Sequence, residues 1–366
     1  MLNKFFKVIL SKWEFSKPQK KKLLIYDLPN LFEKILTKDQ YEVLDIRYKA
    51  VNIYILLITF LQTGFKDLVK NYQKNYILSV SPKIIITSID NNLFFFKLKQ
   101  LYDKAKYICV QLSLRDSVFL NSCKMHYKNK NATKLYSDYF FVYGNNDKTI
   151  LKKFIQSKFI LSGSVINNLY IKKKNNNKID KIIFINQTTE DDFEKKTKIF
   201  KKIIKLSKEL NLSLYYLLKR KEDHLLTKKI KKVFKKEFLN KEFNYIKNKK
   251  YNVYDYLSTN AIFFTSSSTL GFEAISRKSK VIFLPYTKFP GKDYFKKYPS
   301  HGPFWTTDHS FENIKNLSKN VLNLNKKKWA STVDKIIPDI INFKAKNPIL
   351  LKLLIKNKIR IINKSI

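Results

Sequence analysis

The chain has 366 residues, too many for one ordinary core and enough for two α/β domains of about 150 to 200 residues each. Its 44% hydrophobic and 15% aromatic content is ample for packed cores, which excludes wholesale disorder even with 28% of residues charged. The net charge of +44 points at first to nucleic acid, yet only five basic residues are arginine (Arg47, Arg115, Arg220, Arg277 and Arg360), whereas phosphate and base-edge readers favour the arginine fork.

The lysine excess comes with many Asn, Ile, Phe and Tyr, the pattern that an AT-rich genome writes on any protein surface, so no specific nucleic-acid partner is expected. A cationic surface still favours an anionic bilayer or a nucleotide diphosphate. At the N-terminus, MLNKFFKVILSKWEF lacks a long apolar core and a small-residue cleavage site, so a cytoplasmic protein is expected, any membrane association being peripheral at the inner face of the plasma membrane. The stretch 50–61 is apolar but interrupted by Asn52 and too short to span a bilayer.

Strand-length apolar runs then alternate with helical patterns. KLLIYDL (22–28), YEVLDIR (41–47), KIIITSID (83–90), KYICVQL (106–112) and DYFFVYG (138–144) read as strands. AVNIYILLITFLQ and NNLFFFKLKQLYDKA between them are long enough for crossover helices. The polar run IKKKNNNKID (171–180) reads as a linker. After it come the strand KIIFINQ (181–187), a charged amphipathic helix around 190–210, and the strands LSLYYLLK (212–219), AIFFTSSS (261–268) and KVIFLPY (280–286).

The alternation implies an α/β fold of two Rossmann-like domains facing a central cleft. Residues 1–170 form the first, 181–330 the second, and 331–366 a basic helical tail. Cys109 and Cys123 give neither a disulfide framework nor metal-ligand spacing, and no HExxH, Walker A or DxD context occurs, so no metal and no cofactor are expected.

Glycine is scarce, six residues against about 25 at average usage, so those present are more often needed. The sharpest motif runs from AIFFTSSS into STLGFEAISRKSKVIFLP, where a strand meets hydroxyl residues 266–269 and then a helix. Free N–H groups at that helix start, beside hydroxyls, suit phosphate, although one of the hydroxyls also serves as an ordinary N-cap. Leu270 stands where a capping box would need Ser or Thr, which leaves Glu273 outside that role and open to ribose hydroxyls.

STLGFEAISRKSKVIFLP resembles the donor-nucleotide motif of GT-B glycosyltransferases. LDIR, IIITSIDNN, VQLSLRD and GPFWTTD (302–308) resemble the pattern of bacterial surface carbohydrate biosynthesis proteins, so the likeness spans roughly 22–330. It implies a nucleotide-sugar donor held by the C-terminal domain and a glycan or lipid-linked acceptor held by the N-terminal one. By position, Ser267, Ser268 and Thr269 would contact donor phosphates and Glu273 the ribose. Lys219 and Arg220 would neutralise the diphosphate leaving group or form a solvated basic loop, and Asn186 and Gln187 would line the cleft or turn the chain.

For a general base the candidate is Asp90, with Asn91 beside it at a strand end, although Asp-Asn-Asn before a helix is also a common N-cap. Arg115 is placed to bind an acidic group or to form an ion pair, and His301 and Trp305 to line the cleft, the indole stacking on a sugar or base or packing in a local core.

Overall fold

The computed structural model describes residues 11–47, 49–115, 117–170, 178–185, 193–218, 224–238, 242–246, 253–257, 259–286, 288–290 and 298–362. Its chain divides into two compact units. The first comprises residues 1–143, 147–169 and 344–366, and the second 144–146 and 170–343.

Unit 1 holds β1 (Lys12–Glu14), β2 (Leu23–Tyr26), β3 (Tyr41–Leu44), β4 (Ala50–Asn52), β5 (Ile84–Thr87), β6 (Lys106–Val110), β7 (Leu135–Val142) and β8 (Ile155–Leu161). Six of these form one parallel sheet in the order β3-β2-β5-β6-β7-β8, while β1 and β4 pair separately. All four residues of β2 and of β5 are buried, as strands covered on both faces require. The C-terminal helix Pro348–Lys356 inserts Leu350, Leu351 and Leu354 into the same core as Leu23, Ile25, Ile84 and Ile86. The tail read from sequence as one element therefore divides, its last part completing unit 1.

Unit 2 holds β9 (Lys181–Ile185), β10 (Ser213–Leu217), β11 (Asn244–Ile246), β12 (Ala261–Thr265), β13 (Lys280–Phe283), β14 (His301–Gly302) and β15 (Trp305–Thr306). The sheet order is β11-β10-β9-β12-β13-β15-β14, parallel except for the β14/β15 pair. The long helix Phe193–Glu209 buries Ile199, Phe200, Ile203, Ile204 and Leu206 on one side, the 3.6-residue stripe of a helix laid on a sheet. Phe200 stacks on Phe234 at 5.4 Å and meets Tyr216 edge-on at 4.8 Å, so this face is held by aromatic packing.

The fold differs from the sequence pattern in particular places. The run 50–62 is not all helix: β4 takes Ala50–Asn52, and Asn52 then caps Ile53–Thr63 by accepting from the Ile55 amide at 3.1 Å. Residues 91–105 give a 3₁₀ helix, Phe95–Gln100, in place of a long crossover helix. The strands β8 and β11 were not expected. The lysine in the middle of β8 and the shortness of β11 hide their period.

Gly271, in the helix Thr269–Ser276, lets that helix lie on β12. A Cβ there would come within 2.5 Å of Thr265 Cγ2 and 3.3 Å of the Phe283 ring. Gly271→Ala is expected to cost about 1–3 kcal/mol by overpacking. Denaturant melts should show Thr265→Ser, which deletes the obstructing methyl, recovering much of that loss. Equal losses in the single and double variants would exclude this contact as the cause.

Candidate functional site: a lysine and hydroxyl pocket at the unit 2 switch point

In an open parallel sheet, ligands bind beyond the carboxyl ends of the strands where the strand order reverses. In unit 2 that point lies between β9 and β12. A pocket opens there, lined by Phe184 and Ile185 of β9, Thr265 and Ser266 at the end of β12, Leu284 and Tyr286 after β13, and Lys196 and Ile199 from the long helix.

Lys196 is only 6% exposed. An ammonium withdrawn so far from water is retained only where negative charge or acceptors compensate its lost hydration. The sequence reading passed over it because it is one lysine in a run of them. The available signal was its register: Lys196 shares a helix face with Phe200 and Ile203, both buried.

The hydroxyl turn is built by its own side chains. The Ser268 amide donates to Thr265 Oγ1 at 3.3 Å, and Ser268 Oγ accepts from the Leu270 amide at 3.3 Å, so Ser268 is the N-cap. Ser266, Ser267 and Thr269 are half-buried around it.

Glu273, 3% exposed, points into an internal network. The Tyr254 hydroxyl donates toward its two oxygens at 3.2 and 3.3 Å. Tyr254 stacks on Tyr170 at 5.1 Å and lies under the Arg277 guanidinium, 5.9 Å from its ring centre. Burial pushes the Arg277 pKa down, and the Glu273 charge opposes that shift. The carboxylate is outside any capping box, yet it is already engaged in holding Tyr254 and Arg277.

Lys219, Arg220, Asn186 and Gln187 lie outside the described residues. Trp305 does not offer its face to a ligand. It is 2% exposed, stacks on Phe289 at 4.4 Å, and its Nε1 donates to the Pro299 carbonyl at 2.9 Å. The alternative of a local core holds for it, because an indole with a satisfied N–H is more stable inside the aromatic cluster than at a wet surface. His301 is exposed on β14 beside Ser300, away from the pocket lining.

In unit 1 the order reverses between β2 and β5. Thr87 Oγ1 donates to the Tyr26 carbonyl at 2.8 Å and ties the two strand ends together. Asp90 follows β5 and is 1% exposed. Its Oδ2 lies 2.8 Å from Arg115 Nε, and its Oδ1 accepts from the Leu112 amide at 3.0 Å. Burial raises its pKa, against the pull of Arg115.

Asp90 is thus buried beneath loop 111–115, with Oδ1 held by the Leu112 amide and Oδ2 close to Arg115 but accepting no hydrogen bond. Arg115 is its partner, and Asn91 is exposed at the turn that follows. The sequence reading also passed over Asp27, which it placed inside a strand. The strand stops at Tyr26 because Asp27 adopts φ 72°, and its carboxylate accepts from Arg47 Nε at 2.7 Å. Burial pushes this carboxyl above the ordinary aspartate range, with Arg47 pulling the other way.

Residues 188–358 match a family model described as "putative O-antigen biosynthesis protein". No curated protein matches the chain. Among solved structures, UDP-GlcNAc 2-epimerase from Neisseria meningitidis bound to UDP-GlcNAc is similar, with TM-score 0.50, 15% identity, and coverage of 91% of this chain and 99% of that one. An H444N variant of the wall teichoic acid polymerase TagF is similar at TM-score 0.53 and 13% identity, covering 92% of this chain and 89% of that one. At these identities the likeness shows the fold, which is the two-domain Rossmann-like GT-B type.

Asp90→Ala is expected to destabilise the protein by about 3–5 kcal/mol, since it strands Arg115 without its buried partner. Asp90→Ala with Arg115→Met should recover a large part of this in denaturant melts. A single variant as stable as wild type would remove this supporting role. Asp27 gives a test in pH. Because the fold raises its pKa, its contribution is full below the ordinary value of 3.8 and declines as pH rises through the folded value. Asp27→Asn should therefore gain on wild type as melts are taken from below pH 3.8 toward neutrality, and a loss relative to wild type over that window would reverse the assignment.

Proposed function

We propose that the chain is a GT-B-type enzyme that transfers a sugar, or a polyol phosphate, from a nucleotide-activated donor to a precursor of a surface polysaccharide or lipopolysaccharide. The observation that carries this reading is the hydroxyl turn 266–269 that opens the helix Thr269–Ser276 at the β9/β12 switch point. A diphosphate laid over the turn would be met by its hydroxyls and by the helix-start amides, with Lys196 nearby offsetting charge that grows on the leaving oxygen; the cavity beneath is only water-sized. Ser267 and Thr269 extend the same turn toward the donor. Glu273, through Tyr254 and Arg277, fixes the helix that carries it. The O-antigen family match over residues 188–358 favours surface carbohydrate as the setting.

A second reading, a nucleotide-sugar epimerase, is favoured by the likeness to the Neisseria meningitidis enzyme over nearly the whole of both chains. Both readings begin with the same donor in unit 2 and separate at the product.

Thermal melts of the purified protein against UDP, GDP, CDP, CMP and dTDP test the shared step. One nucleoside diphosphate should raise the melting temperature. Lys196→Met should weaken its binding about tenfold to a hundredfold, the loss of one charge-assisted contact. No shift with any nucleotide would overturn both readings. With the matching nucleotide sugar alone, an epimer appearing by NMR would select the epimerase, while release of the nucleotide only on adding a glycan acceptor would select the transferase.

A further inference from the structure

Unit 1 carries an apolar surface that stands exposed among its described residues. The helices Ile53–Thr63 and Leu68–Val80 form a hairpin, joined by a turn at Gly64 with φ 56° and tied by Asn75 Nδ2 donating to Thr59 Oγ1 at 3.0 Å. Their inner sides bury Ile55, Thr59, Tyr76, Ile77 and Val80. The first helix, IYILLITFLQT, contains no charged residue in a chain that is 28% charged.

Its outer side exposes Leu57 at 57% and Leu61 at 83%, with Phe60 on the same face, and Phe65 follows in the turn at 82%. These spacings of three and four residues make one continuous strip. The Phe60 and Phe65 rings meet edge-on at 5.0 Å, so the apolar side chains cluster at the tip of the hairpin. Lys66 after the turn and Lys70 and Lys74 on the second helix are exposed, and Asp67 is the one acid between residues 53 and 80.

We propose that this hairpin is the surface by which the protein lies on an anionic lipid bilayer, its strip entering the headgroup boundary and its lysines meeting lipid phosphates. A soluble surface seldom leaves so many large apolar groups contiguous without a partner. The combination of an uncharged aromatic and aliphatic face with flanking lysines is the chemistry of an interfacial helix. No helix among the described residues is long and apolar enough to cross a membrane, so the hairpin lies in the interface. A second copy of the chain fits less well, because docking two such tips sets lysine against lysine between molecules that each carry a charge of +44.

The inference stands independently of the donor reading and is tested without it. Co-sedimentation would be measured with vesicles of phosphatidylcholine alone and of phosphatidylcholine doped with phosphatidylglycerol. Wild type should bind the doped vesicles. The Leu61→Ser and Phe65→Ser double variant should bind them about tenfold more weakly or less, since it removes two inserting side chains. Its melting temperature should be unchanged, because both residues are exposed; Leu57→Ser gives an independent second variant.

Three results would overturn the proposal. One is no vesicle binding by wild type. Another is equal binding by wild type and variants with complete loss in salt, which marks plain adsorption of a basic protein. The last is a lipid-free dimer that the variants convert to monomer.

Discussion

The parallel ladder of β9 against β12, with Ile182 opposite Ile262 and Phe184 opposite Phe264, decides where unit 2 can hold a ligand. These strands are far apart in sequence, and their pairing sends the chain away on opposite sides of the sheet, which makes the ends at Ile185 and Thr265 the switch point. Every feature of the pocket descends from that register. Thr265 ends its strand beside the hole and turns the chain with its hydroxyl, and Gly271 allows the next helix to seat against the same residue. The helix Phe193–Glu209, fixed by Phe200 in the aromatic stack, carries Lys196 to the opening. A one-residue slip of β12 would turn these side chains to the other face of the sheet.

Unit 1 obeys the same rule of parallel sheets and fills the corresponding place differently. Its strand ends are closed by hydrogen bonds and by two carboxylate–arginine pairs, Asp27 with Arg47 and Asp90 with Arg115. The Asp90 pair reaches further, because the Gln111 amide group bonds Asp147 Oδ2 at 2.8 Å and accepts from the Tyr143 amide at 2.7 Å, which locks loop 111–115 to the neighbouring strand. Charge at this end of unit 1 stiffens loops, whereas in unit 2 a buried lysine borders a small, mostly apolar cavity.

The sequence made the architecture legible because near-continuous apolar runs such as IIIT and AIFFT are characteristic of strands buried on both faces, and the hydroxyl turn was legible because four adjacent Ser and Thr exceed what one cap needs. What it could not show was direction and depth. Asp90 sits at the strand end as its position implied, but the distance to Arg115 and the amide of Leu112 depends on how loop 111–115 folds back, a long-range fact absent from local pattern. Trp305 was readable as an aromatic in a loop and not as a core residue, since Phe289 and Phe304 close over it only in three dimensions. Lys196 was hidden for the opposite reason: composition makes lysine uninformative, and its register with Phe200 and Ile203 is a faint signal that only burial makes plain.

That composition also explains how the two basic residue types divide their work. Each described arginine faces an acid: Arg47 meets Asp27, Arg115 meets Asp90, Arg360 meets Asp39 at 2.6 Å, and Arg277 is held by the charge of Glu273. In a chain that otherwise writes lysine, arginine survives where a planar fork must be fixed against a carboxylate or an aromatic face, roles an ammonium fills poorly. Lysine supplies the diffuse field, which falls off over about 8 Å at physiological salt and so acts on whatever anion comes close. A field of that kind draws in a nucleotide diphosphate or a lipid headgroup alike. Discrimination between them has to come from local structure: a hydroxyl turn and helix start at the β9/β12 switch point in unit 2, and an uncharged strip on the hairpin of unit 1.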